Sequence, residues 1–430
     1  MQYWNTITNR VLLLAFIGSL SSFYTFAQEN SPYSRYGLGN TKLIENAANR
    51  GMGGVSIADD NGFTTNPTNP ATFASLKLTS FQIAVEGLSV NVRNSTLSNR
   101  TGSLGLAYVN LGFPLTKKLG VSFGLMPQTR SKYGMSQTDD IDLDSVKKVN
   151  HNYYGGGGTQ KLYIGAAYKY KQYSVGFSTG YMFGSIVNSS EAIFSPDSFQ
   201  VISSSVTSRT TVGGIFLQLG ALMNHTLKEK YHFSLGASYQ LSQKLNAKKD
   251  SYWKSYIGSV TEPDYQYNVD SIIEKKGKVV IPGKLSLGAM FSKEDKWKLG
   301  ADFITSNWSN YRTYEQADST GNSWTLKIGG AITPDASAIG QTWKRITYRL
   351  GAYTGKDIFK FQGTSLPVNG VTAGLGYPIR RTNLSIGQIN ASIDVGKRGT
   401  TSNGLLSEGY TRFTIGFTFN DKWFIPRKYE

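Results

Sequence analysis

From residue 79 onwards, apolar residues alternate with small or polar ones in segment after segment. Within 231–245, Phe233, Leu235, Ala237, Tyr239 and Leu241 fall on one side, and Ser234, Gly236, Ser238, Gln240 and Ser242 on the other. Within 279–292, Leu285, Leu287, Ala289 and Phe291 oppose Ser286, Gly288 and Ser292. A period of two marks a β-strand with one apolar face. About fourteen such segments can be placed, with ends uncertain by several residues. They are 79–92, 102–113, 119–131, 160–171, 173–185, 208–225, 231–245, 279–292, 296–309, 322–333, 343–353, 366–378, 383–396 and 409–424. A soluble sandwich would alternate as well. Long strands with a face of small polar residues suit a membrane barrel better, because that face can line a lumen.

The connections set the orientation. Links after even-numbered strands are short and basic, as at Lys171-Gln172, Lys228-Glu229-Lys230 and Arg380-Arg381. Links after odd-numbered strands read as longer: 132–159, 186–207 and 246–278. Short periplasmic turns and long outer loops are the habit of outer-membrane barrels. An even strand count places both termini on the periplasmic side. In the thirteenth segment the phase slips, and Gly387-Gln388 is the expected bulge. Pro127 falls inside the third segment, where a residue without an N–H breaks or kinks the ladder.

The first 78 residues do not alternate. Arg10 precedes the apolar run Val11–Ile17, and Thr25-Phe26-Ala27 offers a small-x-small exit, so 1–27 reads as a secretory leader cleaved after Ala27. Residues 28–78 are rich in Gly and Pro and too few to hold a core of their own. They are expected to plug the barrel formed by 79–430. The expected fold is therefore all-β: a monomeric, 14-stranded antiparallel transmembrane β-barrel with an N-terminal hatch, in the outer membrane of a Gram-negative bacterium.

Composition narrows the chemistry. Charged residues make up 17 % of the chain, against 47 Gly, 26 Tyr and 22 Phe. There is no Cys, which excludes disulfides, thiolate chemistry and a lipoprotein anchor. The net charge is +17. Its basic residues are scattered through turns, which points to anionic lipid headgroups rather than nucleic acid. His151, His225 and His232 lack metal spacing, and the last two read as interfacial. Asp139-Asp140-Ile141-Asp142-Leu143-Asp144 lacks the Gly and closing Glu of a calcium loop and reads as an acidic outer loop. Gly155–Gly158 lacks the strand-then-helix setting of a phosphate loop and reads as a flexible loop end. No enzyme, cofactor or metal site is expected.

Three passages carry a family resemblance: Ser31-Pro32-Tyr33-Ser34-Arg35-Tyr36-Gly37-Leu38-Gly39, Arg50-Gly51-Met52-Gly53-Gly54-Val55-Ser56-Ile57-Ala58 and Asn66-Pro67-Thr68-Asn69-Pro70-Ala71-Thr72-Phe73. The chain resembles the FadL-type outer-membrane transporters of long-chain fatty acids and other hydrophobic compounds. There a hatch with an Asn-Pro-Ala passage precedes the first of fourteen strands, and Asn69-Pro70-Ala71 stands in that place. The resemblance implies passive uptake of a hydrophobic small molecule through an internal pocket, hatch movement and a gap in the wall. Asn66, Pro67, Asn69, Pro70 and Ala71 would set the hatch, Phe63 and Phe73 would line an apolar pocket, and Pro127 would open the gap. The same residues may be read as a turn and a bulge alone. One feature departs from the family: the lumen-facing residues are mostly Gly, Ser, Thr and Gln. A rival function is a non-transporting subunit of a larger outer-membrane assembly or secretion complex. It fits the polar lumen, the basic rim and the aromatic-rich segment 246–278. Outer-membrane lipid, a hydrophobic ligand and other outer-membrane proteins are the expected partners.

Overall fold

A computed structural model describes residues 31–143, 146–196, 201–228, 230–258, 263–294, 296–381 and 385–423. The expected leader and its cleavage position lie outside them. Fourteen antiparallel strands close into one barrel: β1 Thr79–Arg93, β2 Ser98–Pro114, β3 Leu119–Leu143, β4 Val146–Tyr170, β5 Tyr173–Pro196 and β6 Ser203–Leu227. β7 joins Tyr231–Gln240 to Gln243–Gly258, and β8 joins Pro263–Ile281 to Lys284–Lys293; both are interrupted at one shared kink. β9 Trp297–Ser306, β10 Ser323–Ile332, β11 Thr347–Phe361, β12 Thr364–Arg381, β13 Ser385–Gly399 and β14 Ser407–Asp421 complete the wall. Closure is by β14 on β1, in register from Asp421↔Thr79 to Ser407↔Arg93.

Alternation decides the two faces. Leu235 and Tyr239 are exposed on the outside while Ser234, Ser238 and Gln240 are buried inside. With no apolar medium outside, such a wall of exposed Leu, Ile and Phe would be an aggregation hazard; in a bilayer it is the lipid face. Near the periplasmic turns the outward residues become aromatic. Tyr231, Phe291 and Trp297 stack together, and Phe113 lies between Phe123 and Trp423. These are the amphipathic rings of an interfacial girdle.

Three readings are corrected. The segments 132–159, 186–207 and 246–278 are not loops. β3 to β6 have 25, 25, 24 and 25 residues, and the hairpins turn only at their tips. About 9–11 residues cross a membrane, so these strands continue well beyond it. Gly155–Gly158 accordingly lies within β4, paired with β3 and β5, and Asp139 lies within β3. The phase slip near residue 387 does not put a bulge in β13, whose register with β14 is unbroken. The extra residue is Ile379 of β12, between Pro378↔Gln388 and Arg380↔Gly387. Ser31 sits at the outer end of the lumen, where its hydroxyl donates to Glu408 of β14 at 2.7 Å.

Candidate functional site: the plugged lumen

The segment expected to form the hatch runs down the lumen from Ser31 and leaves it at Leu76. Its turns are built by side chains that replace missing backbone partners. Asn46 caps the helix Ala47–Arg50 by accepting from Asn49 N at 2.9 Å. Asn69 caps the 3-10 turn Pro70–Ser75 in the same way, accepting from Ala71 N at 3.1 Å, and Pro70 follows at the first position, where no N–H is needed. The Asn69 amide also donates to Ile57 O at 2.8 Å and to Ala221 O of β6 at 3.1 Å, so it ties the hatch to the wall. Asn66 donates to Ser56 O at 2.6 Å, and the Pro67 carbonyl lies 3.4 Å from the Gln218 amide.

Charge fixes the hatch in place. Arg50, 3 % exposed, donates from Nη1 to Glu86 of β1 at 2.7 Å and to Thr414 of β14 at 3.2 Å. Its other nitrogens hold Glu45 O and Leu43 O, within the hatch itself. Lys42 reaches the other oxygen of Glu86 at 2.9 Å. Glu45 pairs with Lys327 of β10 at 2.5 Å, and Asp59 with Lys298 of β9 at 2.8 Å. Asp302 of β9 accepts from Ser56 N at 2.7 Å and Ile57 N at 3.0 Å. Small residues let the backbones meet. A Cβ on Gly120 would stand 1.9 Å from Phe73 O, and one on Gly351 2.2 Å from Gly53 N. Gly176, Gly220, Gly236 and Gly329 are filled by hatch backbone or the Asn69 side chain in the same way.

Among the described residues, the ladder between β2 and β3 breaks early. β2 and β3 pair only from Val109↔Leu125 to Pro114↔Gly120. Pro127 stands just beyond, and β3 bulges against β4 between Pro127↔Gln160 and Thr129↔Thr159. The hatch occupies the freed edge. Asn40 and Thr41 pair with Arg130 and Thr129, Lys42 N donates to Gln128 O at 2.9 Å, and Ser31 N to Lys132 O at 3.0 Å. Gly39 sits at φ +90°, where a Cβ would meet Arg130 O at 2.6 Å, so only Gly fits this crossing.

Behind that strand lies a cavity of 340 Å³. Leu38, Ile281 and Ile304 give it apolar surface, while Lys284, Lys327 and Arg398 stand among Glu45, Asp357 and Glu408, so the rest carries charges of both signs. Phe63 and Phe73 do not line it. Phe73 is fully buried in a separate cluster with Tyr163 and Met126, and Phe63 lies beneath the Lys77 ammonium, 5.6 Å from its ring centre. The expected pocket wall of hatch phenylalanines is therefore corrected. Above the cavity the link 307–322 folds inward: Tyr311 is fully buried against Leu38, Val212 and Leu245, and Asp318 accepts from Gly37 N at 2.7 Å. Sequence reasoning missed the ionic residues. The available signal was Glu86, Lys298, Asp302 and Lys327 on the small-residue face of spanning strands, where charge is costly unless paired.

Burial by itself would raise the Glu45 carboxyl, but the Lys327 ammonium and its hydrogen bond pull it down to about 2. The folded value lies below the unfolded one, so this pair stabilises docking above the ordinary carboxyl range and is lost as pH falls toward 2. The contribution of this pair to protease protection of the hatch is thus expected to fall between about pH 4 and 2. Loss of protection at neutral pH would contradict the pairing.

The barrel is similar to solved bacterial structures. A Pseudomonas aeruginosa FadL homologue has TM-score 0.57 at 14 % identity, covering 89 % of this chain and 100 % of that one. The P. putida toluene transporter TodX has TM-score 0.58 at 15 % identity, with 89 % and 100 % covered. The Ralstonia pickettii toluene transporter TbuX has TM-score 0.56 at 16 % identity, with 88 % and 99 % covered. At such identities the likeness establishes the fold alone, a FadL-type barrel. No curated protein matches the chain. The family model BamG matches residues 8–430, so the chain belongs to the BamG family.

Proposed function

We propose that this chain is a non-transporting barrel subunit of a larger outer-membrane protein assembly. The observation that carries this reading is the docking of the hatch: ion pairs from Lys42, Arg50, Glu45 and Asp59 to the wall, and a wall relieved of side chains where the hatch backbone touches it. A charge left buried without its partner costs about 3–5 kcal/mol. A plug that moved at every passage would have to break several at once. The hatch acts instead as the core of the barrel, since it satisfies inward polar groups that would otherwise face an empty lumen. Membership in BamG accords with this reading; the transporter likeness speaks for the fold.

The ladder break beside the cavity favours a second reading, passive uptake of hydrophobic molecules through the gap at Pro127. Two experiments separate the readings. A mild-detergent pull-down of the tagged native protein, with mass spectrometry of proteins and lipids, should give stoichiometric partners and no apolar ligand. A lone barrel loaded with fatty-acid-like molecules would overturn the subunit reading. Replacing Pro127 by Val restores a ladder donor. Uptake of a hydrophobic tracer by whole cells is expected to stay within twofold of wild type; marked slowing would establish the gap as a route.

A further inference from the structure

The extracellular wall is lopsided. β9 is spent in pairing with Lys284–Lys293, the lower part of β8, and stops at Ser306. The upper part of β8 therefore pairs with β7 on one side and has no neighbour of its length on the other. The chain after β9 touches that edge only at its base. Arg312 and Thr313 pair with Val280 and Val279, and Tyr314 donates from N to Lys278 O and from Oη to Lys275 O, both at 3.0 Å. Among the described residues, nothing pairs with the edge from Tyr265 to Ile273.

An edge strand displays a row of unused N–H and C=O groups, and proteins usually blunt it with charge, bulges or brevity. β8 does carry bulges, between Asn268/Asp270 and Ile272/Lys275. Its side chains do not follow the blunting pattern. Tyr265, Tyr267, Val269 and Ile273 are 64 %, 58 %, 66 % and 63 % exposed, and they stand beyond the bilayer where lipid does not cover them. At the foot of the edge, Lys275 lies opposite Lys249 and Lys276 opposite Lys248. Like charges in register destabilise a sheet. Glu274 reaches Lys248 at 3.0 Å and relieves only part of this.

We propose that the free edge of β8, Tyr265–Ile273, receives an extended segment of a partner polypeptide by strand addition. The segment pairs its backbone with the edge. It lays apolar side chains against Tyr265, Tyr267 and Val269, and carries Asp or Glu at the end that meets Lys275 and Lys276. This deepens the subunit reading and rests on it, since it names where a partner binds.

A photo-crosslinking residue at Tyr267 of the full-length protein in cells tests it, together with the double change Lys275→Glu/Lys276→Glu. The expected result is one discrete adduct with a different polypeptide. That partner should fall at least fivefold in the pull-down of the double variant, and amide exchange over 265–273 should slow in the complex relative to the isolated barrel. Heat-modifiable gel mobility controls for folding. An adduct of two copies of this chain, or a crosslink to lipid alone, overturns the inference. Partners that co-purify undiminished, with no adduct, overturn it while the subunit reading stands. A wild-type pull-down without any partner defeats the subunit reading itself.

Discussion

Replacing Arg50 by Ala is expected to free the hatch while the barrel remains closed. One guanidinium here joins β1, β14 and two carbonyls of the hatch, with Nη1 2.7 Å from Glu86 and Nη2 2.8 Å from Leu43 O. The truncation removes these bonds and leaves the buried carbonyls of Leu43 and Glu45 unpaired, a loss of about 1–3 kcal/mol each. That corresponds to a rise in the undocked population of about two orders of magnitude, as each 1.4 kcal/mol is about tenfold. Lys42 still faces Glu86, so the wall carboxylate is not stranded. Limited proteolysis should cut within 42–75 in the variant and leave 79–421 intact. Arg50→Lys should rescue little, because an ammonium cannot reproduce the fork that spans Glu86 and the two carbonyls. A hatch as resistant as wild type in Arg50→Ala would show that apolar contact alone holds it.

The same contact explains what could be seen in the sequence and what could not. All fourteen strands announced themselves where one face meets lipid, because Leu235, Tyr239, Leu285 and their like stand against Ser and Gly. The signal failed where the strands leave the membrane. In Ser136–Asp140 both faces of β3 are polar and there is no period left to read, so a strand looked like a loop. The Asn66 and Asn69 turns were legible because caps and prolines act over two or three residues. The ion pairs were not, since Glu45 meets Lys327 across 282 residues of sequence. Nothing local distinguishes a charge that faces a plug from one that faces water. The open edge of β8 was hidden for the same reason: it exists because β9 is short.

Gly120→Ala is expected to be among the most damaging single substitutions in the wall, although it adds one methyl group. The new Cβ would lie 1.9 Å from Phe73 O and 2.7 Å from Phe73 C, both hatch backbone, which cannot rotate away as a side chain would. Overpacking of an interior by a methylene typically costs about 1–3 kcal/mol, and more where backbone must shift. Here the hatch is held by its ion pairs on one side and pressed on the other. Relief requires displacing the turn Pro70–Ser75, including Phe73 from its place beside Tyr163. Gly351→Ala presses Gly53 N at 2.2 Å and should act similarly from the opposite wall. Gly134 and Gly409 supply the contrast: they lie in the same barrel, and a Cβ at either meets nothing within 4 Å. Folded barrel recovered from the outer membrane, read by heat-modifiable mobility, should drop about tenfold for the first pair and stay near wild type for the second. Equal recovery of all four would mean that the hatch is not seated against the wall. Selective loss would mark the glycine surface as the mould in which the plug is cast, and hatch and wall as a single folding unit.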